Sequence, residues 1–172
     1  MVDYPLFESM LSSYGSEIFA FLWRMVRDGA EAEDCLQETF LRAFKAFPRV
    51  EAGANYRAWL YAIANNVAKT YLKRRAGSEA RLSVLEENRS DGGGSVEGIV
   101  ERHEELELVQ TAVRALPHKQ RAALMLRKYH GLEYSEIAGA LGCSQASARA
   151  NVYQGLKRLR TLLAREPQRV EQ

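Results

Sequence analysis

Apolar residues recur at spacings of three and four from one end of this chain to the other, and no sustained period-two alternation or Asn-Gly or Asp-Gly hairpin turn interrupts them. That period places apolar side chains on one face of an α-helix and is incompatible with a half-buried strand, so the chain reads as all-α. Leu6, Met10, Tyr14, Ile18, Phe21, Leu22 and Met25 form one stripe, and Leu36, Phe40, Ala43, Phe44 and Phe47 a second that Pro48 ends. Trp59, Leu60, Ile63, Val67 and Leu72 form a third, running into basic Lys73–Arg75, where cations suit a helix C-terminus. After a break, Leu106, Val109, Val113 and Leu116 share a face that Pro117 stops, and a helix from about Lys119 to His130 is closed by Gly131.

The break is compositional. Residues 77–98 contain "SDGGGS", which loses much backbone entropy on ordering and has little apolar surface to bury, so the stretch is expected to be a flexible tether. The expected organisation is therefore two small helical domains, 1–76 and 99–172, joined by an acidic linker. Charge follows the same division. Residues 1–76 carry 10 Lys/Arg against 9 Asp/Glu, residues 77–110 carry 3 against 9, and residues 111–172 carry 11 against 4. A strongly basic final third points to a polyanionic partner that the acidic middle would repel.

"EIAGALGCSQASARANVYQ" carries the most specific signal. Two short helices meeting steeply need a small residue at the crossing and a turn residue tolerant of unusual backbone angles, which Ala138 and Gly142 supply. Ser144 is placed to cap the second helix. With Ala148, Val152, Leu159 and Leu162 inward, Gln145, Ser147, Arg149, Tyr153 and Gln154 face outward or lie at the rim. Arg can fork onto guanine, Gln onto adenine, and Ser can donate or accept, while Ala146 and Ala150 let the helix sit deep in a major groove. Lys157, Arg158, Arg160 and Arg165 follow where phosphates would be met. An ordinary helical hairpin with a solvated basic face accounts for the charge but not for the Ala/Gly/Ser spacing.

The first lobe carries two further surfaces. Asp34, Gln37, Glu38 and Leu41 lie three or four apart, making a mixed acidic and apolar face; equally, Glu31, Glu33 and Asp34 can simply complement the dipole of a solvated helix start. In "NYRAWLYAIANNVAKTYLKRR" tyrosines and Trp59 alternate with amides and cations, as an unstacked single strand requires. Trp59 reads as core; Asn65, Asn66, Lys69, Lys73, Arg74 and Arg75 read as contacts to nucleic acid.

Other chemistry finds little support. Cys35 and Cys143 stand apart without a metal-ligand pattern and are expected to pack as small apolar groups, and no metal or cofactor is indicated. His103, His118 and His130 are scattered, and no Gly-rich phosphate loop appears, so an enzyme is not expected. No apolar run approaches a bilayer span and no secretory leader is apparent, so a reducing cytoplasm without membrane contact is the expected setting.

In order, "AEDCLQETFLRAF", "YRAWLYAIANNVAKTYLKRR" and "ALPHKQRAALMLRKYHGLEYSEIAGALGCSQASARANVYQGLKRLR" resemble the landmarks of an extracytoplasmic function (ECF) sigma factor, over nearly the whole chain outside the Gly-rich tether. The resemblance implies a dissociable subunit of bacterial RNA polymerase that melts and holds the promoter minus-ten element with its first domain and reads the minus-thirty-five element with its second. It implies docking of Asp34, Gln37, Glu38 and Leu41 on the clamp helices of the largest polymerase subunit. It places Asn66, Lys69, Lys73 and Arg74 on the minus-ten strand and Arg149, Ala150, Tyr153 and Gln154 on the recognition helix. It also implies that the tether threads polymerase channels otherwise occupied by RNA, and that an anti-sigma factor is a partner. Two departures stand out: Glu133 replaces the usual Ser or Thr cap, which predicts a fraying helix start, and "ASARAN" replaces a bulkier, more basic run. The alternative is a dimeric helix-turn-helix regulator acting on a palindrome, which gives the first lobe and tether no role.

Overall fold

The computed structural model describes residues 4–51, 53–86 and 100–165. Among these there are seven α-helices: α1 Tyr4–Val26, α2 Gly29–Ala46, α3 Tyr56–Glu86, α4 Val100–Arg114, α5 His118–Lys128, α6 Tyr134–Leu141 and α7 Gln145–Arg165, with a 3₁₀ turn at Phe47–Arg49. The described residues contain no strand, as the apolar period requires.

Local chemistry sets the helix ends. Asp28 accepts a hydrogen bond from the backbone N–H of Glu31 (3.0 Å) and starts α2, and Asn55 does the same for Ala58 (2.9 Å) at α3. Arg27, between α1 and α2, sits at φ +61°, a conformation that costs a side-chain-bearing residue energy. Gly131 (φ +64°) and Gly142 (φ +60°) take the left-handed positions after α5 and α6. The expected fraying at Glu133 does not materialise, because the Glu136 carboxylate reaches back to accept the Glu133 N–H (2.8 Å).

The first lobe packs α1, α2 and α3 around Ile18, Phe21, Leu22, Met25, Leu60, Tyr61 and Ala64. Phe7 meets Phe44 and Phe47 edge-on at 5.4 and 5.2 Å, which joins α1 to the end of α2. The second packs α5, α6 and α7 around Leu126, Leu132, Ile137, Ala148 and Val152. Gly155 of α7 lies so close to α5 that a Cβ there would stand 3.2 Å from the Gln120 carbonyl oxygen. Cys35 is buried, its thiol pushed up to about 11 by desolvation and by Glu31, Asp34 and Glu38.

One boundary differs from the sequence reading. Helix α3 does not stop at the basic cluster but runs through Gly77 to Glu86. "SEARLSVLE" is built mostly of good helix formers, and an established helix propagates through a single exposed glycine at a cost of about 1 kcal/mol. The "SDGGGS" segment itself lies outside the described residues.

The lobes are not separate bodies on a string. Arg57 of α3 holds Glu17 of α1 through two bonds of 2.8 Å and donates a third across to the His130 carbonyl at 2.7 Å. Asn55 donates to Glu136 of α6 (3.0 Å), and the Phe21 and Tyr61 rings flank the His130 imidazole at 5.9 and 5.5 Å. Helix α6 thus seats against α3, and α5 against α1.

Candidate nucleic-acid interface

Helix α6, the turn at Gly142 and helix α7 form the helix-turn-helix. The Ser144 hydroxyl accepts the Ser147 N–H (3.1 Å), as a cap should, and the Cys143 N–H closes onto the Ala138 carbonyl (3.0 Å). Ala148 and Val152 are buried, which turns Gln145, Arg149, Ala150, Tyr153, Gln154, Lys157 and Arg158 to solvent. Tyr153, 65% exposed, is a large aromatic with nothing to cover it. Ser144 is exposed at the tip and Ser147 half-buried, its carbonyl accepting from Asn151 (2.9 Å). The Arg149 guanidinium lies 5.1 Å from the centre of the Tyr134 ring, whose other neighbour is Arg127 at 4.8 Å. Tyr134 and Arg127, which the sequence reading passed over, thus restrict the side chain best suited to guanine. An aromatic at the first position of the first reading helix is the signal that was available. Gln154, Lys157 and Arg158 line a surface groove of about 410 Å³ with Gln120 of α5, a shape and charge suited to a phosphate backbone.

On α3, Asn66, Lys69, Lys73, Arg74 and Arg75 are exposed, with Asn66, Lys69 and Lys73 in line at spacings of three and four. Arg75 is tied to Glu79 at 2.8 Å, and that bond, with the neighbouring Tyr71, raises its pKa. Asn65 departs from this strip. It is 5% exposed and meets His118 of α5, the Oδ1 to Nε2 distance being 2.8 Å, so His118 donates. One residue out of step with Asn66 turns the side chain about 100° around the helix. In this arrangement Asn65 therefore serves the contact between lobes instead of an open strand-binding face. Trp59 is half-buried against the core beside Phe47 (6.3 Å). Tyr61 is fully buried, and desolvation together with Glu17 raises its pKa.

The acidic face of α2 survives in three dimensions. Asp34, Gln37 and Leu41 are exposed, Leu41 by 48%, and Glu38 beside them accepts from Arg42 at 2.6 Å. A single exposed leucine among acids is compatible with a solvated helix start as well as with a docking face.

Residues 10–77 match sigma-70 region 2 and residues 106–159 match sigma-70 region 4. The RNA polymerase sigma factor CarQ of Myxococcus xanthus is 32% identical over 160 residues, covering 91% of this chain and 88% of that protein. The chain belongs to the ECF sigma factors of bacterial RNA polymerase. The sigma-H factor of Pseudomonas aeruginosa is 30% identical over 159 residues, 88% of this sigma factor and 82% of its own length. The ECF sigma-E factor of Escherichia coli K12 is 27% identical over 159 residues, 88% and 83% respectively. The fold agrees with the sigma factor RpoE of Bartonella quintana, solved in complex with the anti-sigma factor NepR, at a TM-score of 0.68 and 24% identity over 93% of this chain and 98% of that one. This sigma factor therefore serves bacterial transcription initiation as a polymerase subunit that directs the enzyme to promoters. No described helix is long and apolar enough to cross a membrane.

Proposed function

We propose that the two matched regions divide the work of promoter recognition as residues 1–76 and 99–172, with residues 77–98 between them. The first lobe docks on the clamp helices of the largest polymerase subunit through Asp34, Gln37, Glu38 and Leu41. It then holds the melted minus-ten strand with Asn66, Lys69, Lys73, Arg74 and Arg75, and with Asn65 once the lobes part. The second lobe enters the major groove of the minus-thirty-five element with Gln145, Ser147, Arg149, Ala150, Tyr153 and Gln154, while Lys157 and Arg158 meet phosphates. The observation that carries this reading is the outward set on α7, held by a capped turn and followed by free cations, in a chain that also bears a basic strip on α3.

Extruding a base costs a few kcal/mol and stacking returns about 1–3 kcal/mol per base, so polymerase must supply the remainder. The protein catalyses no reaction itself, works in the cytoplasm, and is held in reserve by an anti-sigma factor, as the complex of RpoE with NepR suggests. The decisive experiment is run-off transcription with core polymerase and a library of double-stranded promoter fragments. Transcripts from fragments sharing two spaced elements are expected, about 5- to 150-fold weaker for Arg149→Ala, which removes one base contact, and lost for Asp34→Arg. Tight palindrome binding by the protein alone, with no transcript when core is added, would overturn the reading.

A further inference from the structure

Five arginines gather where the lobes meet. Arg24 comes from the end of α1, Arg27 from the turn that follows it, Arg75 from α3, Arg114 from the end of α4 and Arg121 from α5. Two recesses open here, and both are lined by Arg27, Arg114 and Arg121. The larger, about 340 Å³, adds Arg75 and Glu79 over an apolar floor of Met25, Val26 and Leu72. The smaller adds Arg24, Gln110, Val113 and Tyr129.

Like charges crowded into a recess repel one another, and among the described residues the lining of the two recesses includes a single carboxylate, Glu79. Among the described residues the ion pairs are Arg42–Glu38, Arg57–Glu17, Arg75–Glu79 and Arg127–Glu133, so the one carboxylate at the recess is already bonded to Arg75. Arg24 and Arg27 lie over the Tyr129 and Trp23 rings at 4.6 and 4.4 Å, contacts that aim a guanidinium without neutralising it. Arg121 is only 8% exposed, and its Nε is buried with no hydrogen-bond partner. A buried guanidinium with an unmet N–H is costly and marks a missing acceptor. Burial and the Arg114 charge both lower the Arg121 pKa, the direction expected when cations crowd an unfilled anion site. Arg27 takes the left-handed position that ends α1, with its N–H on the Trp23 carbonyl (2.8 Å), which fixes where its side chain leaves the backbone.

We propose that this junction is a binding site for a small ligand bearing a di- or triphosphate group. Three convergent guanidiniums suit oxyanions through paired N–H donors. A terminal diphosphate carries several charges within a few ångströms, where a nucleic-acid phosphodiester carries one, so it matches a cluster of guanidiniums better. Because Arg24, Arg27 and Arg75 belong to one lobe and Arg114 and Arg121 to the other, the bound ligand ties the lobes together. Free inorganic pyrophosphate and the phosphate end of a nucleotide are two sources of the same chemistry.

Thermal unfolding and calorimetry of the full chain test this, with sodium pyrophosphate, GDP, sodium sulfate and a (dT)₁₂ oligonucleotide added at constant ionic strength. Pyrophosphate at a hundredfold excess over its Kd is expected to raise Tm by about 5–10 °C, and GDP to do likewise if a nucleotide is the source. Arg121→Met should fold, since it removes an unpaired buried charge, and should lose the response. Arg114→Gln, at an exposed position, should weaken pyrophosphate binding at least tenfold. No pyrophosphate response, an equal response to sulfate, an unchanged response in both variants, or competition by the oligonucleotide at the same variant-sensitive site would each overturn the proposal. None of these outcomes bears on run-off transcription, so the promoter reading stands or falls separately.

Discussion

Replacing Arg57 by Gln tests whether the lobes are latched by a named bond. Arg57 makes two kinds of contact with different consequences. Its paired bonds to Glu17 lie within the first lobe and persist whether or not the second lobe is seated, so they affect global stability but cancel from the opening equilibrium. The bond to the His130 carbonyl crosses between lobes and exists only in the closed arrangement. A charged donor on a carbonyl, with both groups partly shielded, contributes about 1.5–3 kcal/mol, which corresponds to about 10- to 150-fold in the closed-to-open ratio. The glutamine is too short to restore it. Dyes on Glu33→Cys and Arg158→Cys, in a chain carrying Cys35→Ala and Cys143→Ala, report the distance between lobes. In a shallow urea titration, loss of energy transfer in the Arg57→Gln chain should come at lower urea than in its parent and ahead of the loss of helical circular dichroism. Coincident curves for the two chains, or energy transfer that falls only with helicity, would refute the latch. Adding Glu17→Gln to Arg57→Gln removes the carboxylate that the first change leaves unpaired, so it should hold or restore global stability without further shifting the opening curve.

Three other outcomes follow from the same contacts. Burial, with nearby cations, holds the His118 and His130 imidazoles at about 4, below their ordinary value. The opened chain therefore takes up protons first as pH falls; stability is intact above about 6.5 and declines toward 4 with a slope of up to about 2.7 kcal/mol per pH unit for two groups. Urea midpoints from pH 7.5 to 4.5 should show this decline, shallower in His118→Gln, and a flat wild-type profile would contradict it. Gly155→Val forces a branched side chain against the Gln120 carbonyl and should cost about 1–3 kcal/mol, read as a lower Tm, whereas Gly155→Ala should be nearly neutral because helix propensity offsets the tight contact. Ser144→Ala removes the cap on α7 and should cost about 1 kcal/mol, visible as faster hydrogen exchange at the Ser147 amide.

What could be read from the residues was governed by range. The helices, Gly131 and Gly142 at their turns, and the Ser144 cap rest on neighbours within a few positions and were legible. So was the outward set on α7, because Ala148 and Val152 fix which face is buried. Arg57, His118 and His130 were not legible, since their partners lie 40, 53 and 73 residues away along the chain. Asn65 shows the same limit: its type suits a strand-binding strip, and only the approach of α5 reveals that it faces a histidine. The arginine junction was hidden because its members are scattered from Arg24 to Arg121 and each looks like an ordinary surface cation. The end of α3 differs for another reason: the basic cluster at Lys73–Arg75 suits a helix C-terminus, but the residues beyond Gly77 are helix formers and carry the helix on to Glu86.

The length of α3 also shortens the leash between the lobes. With the helix intact to Glu86 and α4 starting at Val100, the intervening backbone spans at most about 50 Å when drawn straight. Once one lobe is bound, the other searches a volume of that radius instead of the whole solution, at an effective concentration on the order of millimolar. Two individually weak DNA contacts then act as one strong one, provided both elements fall inside that reach, and a promoter whose elements lie farther apart forfeits the avidity unless the last turns of α3 unwind.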